Sequence, residues 1–301
     1  MKNANPISSE NLSVRYHTVS VDGVELFYRE AGSVNAPVIL LLHGFPTSSH
    51  MYRNLIPALA KEYRVIAPDY PGFGHSGMPD RKLFNYSFEK YSELIDGLLT
   101  RLDVNRYAMY VFDYGAPVGF RLFHKHPERI SAIVSQNGNA YVEGIAGFWD
   151  PIKAYWKTHG DEEREAIRWL TSINATRWQY ENGVPEDRRS MLSPDGWQHD
   201  QSLLDRLGNS EIQLDLFYDY RNNIPLYPLW QEALRQHRPP ALIMWGQNDE
   251  IFVAPGGEAF KRDLPDAEIH MLDTGHFALE THGAEIATLM SEFLGRNLLQ
   301  R

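Results

Sequence analysis

Apolar residues in this chain follow two rhythms. From His17 to Ala31, HTVSVDGVELFYREA alternates around Asp22-Gly23, a dipeptide suited to a tight positive-φ turn, and predicts an antiparallel hairpin. Beyond it the apolar runs are short and unbroken: Val38–Leu42, Arg64–Pro68, Tyr107–Phe112, Ile130–Ser135, Ala241–Trp245 and Glu268–Leu272. Such runs predict strands covered on both faces, as in a parallel sheet. Between them the period lengthens. Tyr91, Leu94, Ile95, Leu98, Leu99 and Leu102 share one helical face, with Ser87 placed to cap it, and Ile286, Leu289, Met290, Phe293 and Leu294 repeat the spacing. Strands alternating with helices predict an α/β fold with helices on both faces of a mostly parallel central sheet.

The alternation stops between Asn139 and His237, a stretch that holds six of the seven Trp and helix-like patches such as DEEREAIRWLTSI. It is too long for a structureless loop. It predicts a helical cap over 139–237, inserted after the sixth strand, with 1–138 and 238–301 forming the core. An insertion at a strand's carboxyl end lies over the ligand crevice of an open α/β sheet.

Composition narrows the function. No stretch reaches the roughly 18 consecutive apolar residues of a membrane span, and the polar start MKNANPISSENLSV does not resemble a signal peptide. With no Cys, disulfides and thiol catalysis are excluded, which fits a reducing cytoplasm. A formal charge of −10 argues against nucleic acid or an anionic membrane as partner. The expectation is a cytoplasmic monomer or homodimer that meets a small molecule and water.

The candidate chemistry sits just beyond the buried strands. MYVFDYGAPVGF reads as a strand, a sharp turn and a helix, with Asp113 at the tip. Asp249 and His276 follow later strands, so Asp113, Asp249 and His276 succeed one another as nucleophile, acid and base. Glu250 is the alternative acid, and an ordinary helix N-cap is the alternative role for Asp113. His276 has a purely structural alternative. Ser76, in GFGHSGM, lacks the spacing of a nucleophile turn. His124 and His126 have the look of a metal pair, but this chemistry needs neither metal nor cofactor. Val111, two residues before Asp113, is β-branched where a small residue is usual.

With HGFPTSSHMYRNLIPAL from His43, YRVIAPDYPGFGHSG from Tyr63 and GHFALE from Gly275, the chain resembles the α/β-hydrolases, specifically the cap-bearing branch with an Asp nucleophile: epoxide hydrolases, haloalkane dehalogenases and fluoroacetate dehalogenases. The resemblance implies that backbone N–H groups of Phe45 and Tyr114 form the oxyanion hole and that His43 shapes the turn beside it, at the edge of the substrate site. A carboxylate attacking a carbonyl would make a high-energy anhydride. Attack on an sp³ carbon makes an ordinary ester, which points to a small apolar epoxide or alkyl halide.

The leaving group separates these. An opening epoxide wants an acid such as Tyr. Tyr220, in YDYRNNIPLY, is similar to the Tyr that polarises the epoxide oxygen in epoxide hydrolases, and Tyr155 is the nearest second cap Tyr. Trp156 resembles the cap Trp of fluoroacetate dehalogenases. The Arg residues that those enzymes carry beside the nucleophile are replaced here by Tyr114 and Pro117. Phe45 and Tyr114 also occupy the places of the haloalkane dehalogenase halide pair. Epoxide opening to a vicinal diol is the leading expectation. Haloalkane or haloacid dehalogenation is the alternative, and ester or lactone cleavage or a non-catalytic receptor follow.

Overall fold

The computed structural model describes residues 13–299. Residues 1–12, most of the polar start read above, lie outside them. β1 (Arg15–Val21) and β2 (Val24–Ala31) form the expected hairpin, turning on Asp22 and Gly23 at φ of 49° and 79°. Then come β3 (Val38–Leu42), α1 (Leu55–Leu59), β4 (Arg64–Pro68), α2 (Phe88–Arg101), β5 (Tyr107–Phe112), α3 (Gly115–Lys125) and β6 (Ile130–Gln136). Six helices follow before the next strand: α4 (Asp150–Thr158), α5 (Asp161–Ala166), α6 (Ile173–Glu181), α7 (Pro194–Leu204), α8 (Asn209–Asp219) and α9 (Tyr227–His237). β7 (Ala241–Gly246), α10 (Pro255–Glu258), α11 (Phe260–Asp263), β8 (Glu268–Leu272) and α12 (Ala278–Leu294) complete the chain.

The strands make one sheet in the order β1-β2-β4-β3-β5-β6-β7-β8. β2 is antiparallel to both its neighbours, and every pair from β4 to β8 is parallel. The unbroken apolar runs have a direct cause. Along β3, Leu40 and Leu42 join a core with Leu94, Ile95, Val118 and Leu122 of α2 and α3. Ile39 and Leu41 join a second core with Leu55, Ile56, Ile286 and Met290 of α1 and α12. Burying one such side chain is worth about 1.5–3 kcal/mol, so both faces demand apolar residues. β8 departs from this: Glu268–Met271 are only partly buried, because β8 is the sheet edge, and Glu268 pairs with Arg296. Ser87 caps α2 as its position suggests, accepting from the Lys90 N–H.

DEEREAIRWLTSI does not run as one helix. α5 stops at Ala166, a 3₁₀ turn spans Arg168–Thr171, and the Ser172 hydroxyl accepts from Ala175 N–H to start α6. That break lets Ile167 and Leu170 both be buried. Trp149, Tyr220, Tyr227 and Trp230 of the insert merge into the core on the α2–α3 side of the sheet.

Candidate active site

Parallel strands deliver their following loops to one sheet edge, and Asp113, Asp249 and His276 meet there. β5 ends at Phe112, Asp113 takes φ 47°, and α3 begins at Gly115. A positive φ in a non-Gly residue is strained and persists only where its surroundings enforce it. A Cβ at Gly115 would lie 2.1 Å from the Leu42 carbonyl oxygen, so only glycine lets the turn press against β3. Val111 is accommodated from the other side: a Cβ at Gly119 would meet its Cγ1 at 2.5 Å, so α3 yields the room that a small residue in β5 would otherwise supply.

Asp113 does not cap α3; Tyr114 holds that position, without a side-chain hydrogen bond. Its carboxylate Oδ1 instead accepts the Phe45 N–H at 2.6 Å, and the Tyr114 N–H also supports it. A Cβ at Gly44 would stand 2.2 Å from that oxygen, which makes glycine obligatory beside it. His43 holds the turn. Its Nε2 accepts the Tyr70 N–H at 3.2 Å, so its Nδ1–H donates to the Gly44 carbonyl at 3.0 Å. Burial lowers its pKa, and its ring does not line the cavity described below.

His276 Nδ1–H donates to Asp249 Oδ2 at 2.7 Å, while His276 Nε2 stands 3.9 Å from Asp113 Oδ2 with no hydrogen-bond partner. Asp249 is buried and Glu250 exposed. The Ile251 N–H and Asn137 Nδ2 donate to Asp249 at 2.8 and 2.7 Å. Sequence reasoning missed Asn137. It sits after β6 at φ 47°, and its place in QNGN, where Asn tolerates a left-handed turn, was the available signal. Burial pushes Asp113 up to about 6 although His276 and the two N–H groups act against it. Burial would lower His276, but the Asp249 and Asp113 carboxylates outweigh it and its pKa is raised. At neutral pH Asp113 is therefore mainly the carboxylate.

Asp113 lies in a cavity of about 10 Å³, the room of roughly one water molecule, walled by Phe45, Tyr114, Phe148, Trp149, Phe217 and Ile251, with Gln179 as its remaining polar side chain. The insert closes this site from above. A larger cavity of about 610 Å³ lies between α1 and α12, but Asp113, Asp249 and His276 do not line it, so the chemistry points to the smaller one. None of the cap residues singled out from sequence lines this smaller cavity. Tyr155 accepts from Arg164 at 2.7 Å and packs on Tyr218, away from Asp113's cavity. Trp156 stacks on Tyr220 and spends its Nε1–H on the Phe217 carbonyl at 2.7 Å. The fully buried Tyr220 ring lies against Tyr114 and Trp149, with its hydroxyl 3.1 Å from that of Tyr227. Ser76 is structural, donating to the Asp69 carbonyl and accepting the Phe27 N–H. Among the described residues no cluster of three or more His, Cys, Asp or Glu is arranged for a metal, and no helix is long and apolar enough to cross a membrane.

The family model of the alpha/beta hydrolase fold matches residues 37–283. The chain belongs to the α/β-hydrolase family. This α/β-hydrolase is 46% identical over 292 residues to the uncharacterized hydrolase YNR064C of Saccharomyces cerevisiae, covering 95% of this chain and 99% of the yeast protein. It is 35% identical over 293 residues to a haloalkane dehalogenase of Psychrobacter cryohalolentis, covering 93% and 92% of the two chains. Among solved structures, a variant of the haloalkane dehalogenase DatA from Agrobacterium tumefaciens C58 superposes with a TM-score of 0.77 at 19% identity, over 95% of this chain and 99% of that one, a likeness of fold alone.

Proposed function

We propose that this hydrolase acts on small apolar electrophiles in two steps, with Asp113 as nucleophile and an alkyl ester of Asp113 as intermediate. The observation that carries the reading is the Asp113 carboxylate: buried, gripped on Oδ1 by the Phe45 N–H, and with Oδ2 facing the unpartnered Nε2 of His276. In the first step Oδ2 attacks an sp³ carbon and the bonding electrons leave with the displaced group. In the second, water attacks Cγ of Asp113 while His276 Nε2 takes its proton and Asp249 stabilises the imidazolium. Charge developing on Oδ1 meets the N–H groups of Phe45 and Tyr114. The alcohol then departs as the proton returns from His276. Esterification removes the Asp113 charge, one of the causes that raise His276. The imidazole thus loses proton affinity when it must serve as a neutral base.

For the displaced group, halide is the reading favoured by the cavity. A halide leaves without a proton, and neither cap Tyr presents an acid there: the Tyr220 hydroxyl is paired with Tyr227 and that of Tyr155 with Arg164. The full-length likeness to the Psychrobacter haloalkane dehalogenase supports the same choice. Epoxide opening is the second reading, favoured by one observation: Tyr220 lies directly behind Tyr114 and Trp149, which line the cavity. The sequence ranked these two in the opposite order; the pairing of the Tyr220 hydroxyl with Tyr227 and the likeness to the Psychrobacter enzyme favour halide.

The test is His276→Ala incubated with a bromoalkane and with a terminal epoxide. Intact mass should reveal a stable adduct on the peptide containing Asp113, and a wild-type single turnover in ¹⁸O-water should label the enzyme before the product. Normal substrate consumption with no adduct, or label appearing directly in product, would remove the mechanism.

A further inference from the structure

We infer that Gln179 is the hydrogen-bond donor for the leaving group, a role that rests on the halide reading above. Gln179 is buried on α6 and lines the cavity that holds Asp113, and among the described residues its side-chain amide has no hydrogen-bond partner. A buried amide without a partner is costly, and where one borders a reactive group the natural partner is a ligand. The other N–H groups of the wall are committed. Trp149 Nε1–H donates to the Ile251 carbonyl, and the Phe45 N–H holds Asp113. The Tyr114 hydroxyl is sealed in the aromatic core beyond the cavity.

The amide is also held in place. The next residue, Tyr180, stacks on Phe277 at 4.1 Å, beside His276, and its hydroxyl donates to Asp200 at 2.6 Å. This anchors α6 against the catalytic loop, so the Gln179 donor is set before the reaction begins. A primary amide donates a hydrogen bond without surrendering its proton. It therefore suits a group that departs as a stable anion, whereas an opening epoxide would still lack the proton its alkoxide needs.

The test is Gln179→Met, which keeps chain length and removes both N–H groups. In the His276→Ala background, adduct formation on Asp113 is timed by intact mass with matched chloro-, bromo- and iodoalkanes. Loss of one such donor costs about 10²-fold where the leaving anion needs it. The loss should be of that size for chloride, smaller for bromide and smallest for iodide, whose diffuse charge asks least of a donor. Thermal stability of the variant should be unchanged or higher. If Gln179→Met fails to fold, Gln179→Asn, which withdraws the donor by one methylene, should show the same halide ordering. An equal loss across the series, or none, overturns the assignment while leaving the Asp113 ester intact. Absence of an adduct from every haloalkane, with or without Gln179, overturns the halide reading beneath it.

Discussion

The loops at the sheet edge and the helical insert place their polar groups by different means. At the edge, charged atoms are held by backbone and by one another: Asp113 by the Phe45 N–H, Asp249 by the Ile251 N–H, Asn137 and His276. In the insert, aromatic residues are placed by packing, and their polar tips satisfy neighbours within it: Tyr220 with Tyr227, Trp156 with the Phe217 carbonyl, Tyr155 with Arg164. Backbone-held groups are fixed by strand register and turn type, and the proposed reaction falls to them. Packing-held groups shape the cavity, and which one faces it depends on how the entire layer settles. The chemistry is thus assigned to the edge and the choice of substrate to the insert.

The sharpest way to break that division is to neutralise the edge. Asp113→Asn keeps the acceptor for Phe45 N–H but removes the nucleophile, and turnover should fall by on the order of 10⁴–10⁶-fold. The same change should stabilise the fold. Burial raises the Asp113 pKa from 3.8 to about 6, so the folded state bears the cost of a buried charge above about pH 6 and is free of it below 3.8. Thermal or urea unfolding at pH 8 should therefore show the variant more stable by on the order of 1–3 kcal/mol, with the gap closing toward pH 4. A variant less stable than wild type at pH 8 would mean that the edge is not strained for function.

Tyr220→Phe tests whether the insert supplies a proton-donating acid. It preserves the ring and removes the hydroxyl, so turnover of a bromoalkane should drop by less than about tenfold, whereas a working acid contributes about 10²–10⁴-fold. Selective collapse on epoxides would give Tyr220 the acid's role and restore epoxide opening as the first reading.

The smallest expected effect lies where the regions join. Asp200 on α7 accepts from Thr47, in the loop after β3, at 3.2 Å and from Tyr180 at 2.6 Å, and burial raises its pKa to about 7. Its buried charge opposes folding above about pH 7 and is relieved as pH falls toward 3.8. Asp200→Asn should flatten the pH dependence of the melting temperature between pH 5 and 8, by on the order of 1 kcal/mol, because Asn keeps only part of the accepting capacity. An unchanged slope would show that Asp200 is ionised in the folded protein across that whole range, its pKa not raised by burial.

The sequence by itself determined the sheet and the edge where the candidate residues gather. Unbroken runs such as Val38–Leu42 follow from burial on two faces, the Asp22-Gly23 turn from backbone sterics, and the meeting of Asp113, Asp249 and His276 from parallel strands that end on one side. These are local rules of period and turn, written in neighbouring residues. The site residues themselves remain assigned by this placement and the proposed chemistry. Tertiary structure alone decided that Gly119 makes room for Val111, that Asn137 supports Asp249, that Tyr155 leaves the cavity and that Gln179 enters it. Each depends on a partner far along the chain or on the rotation of a short helix. A helix of nine residues such as α6 carries too few apolar positions to announce which face will turn inward.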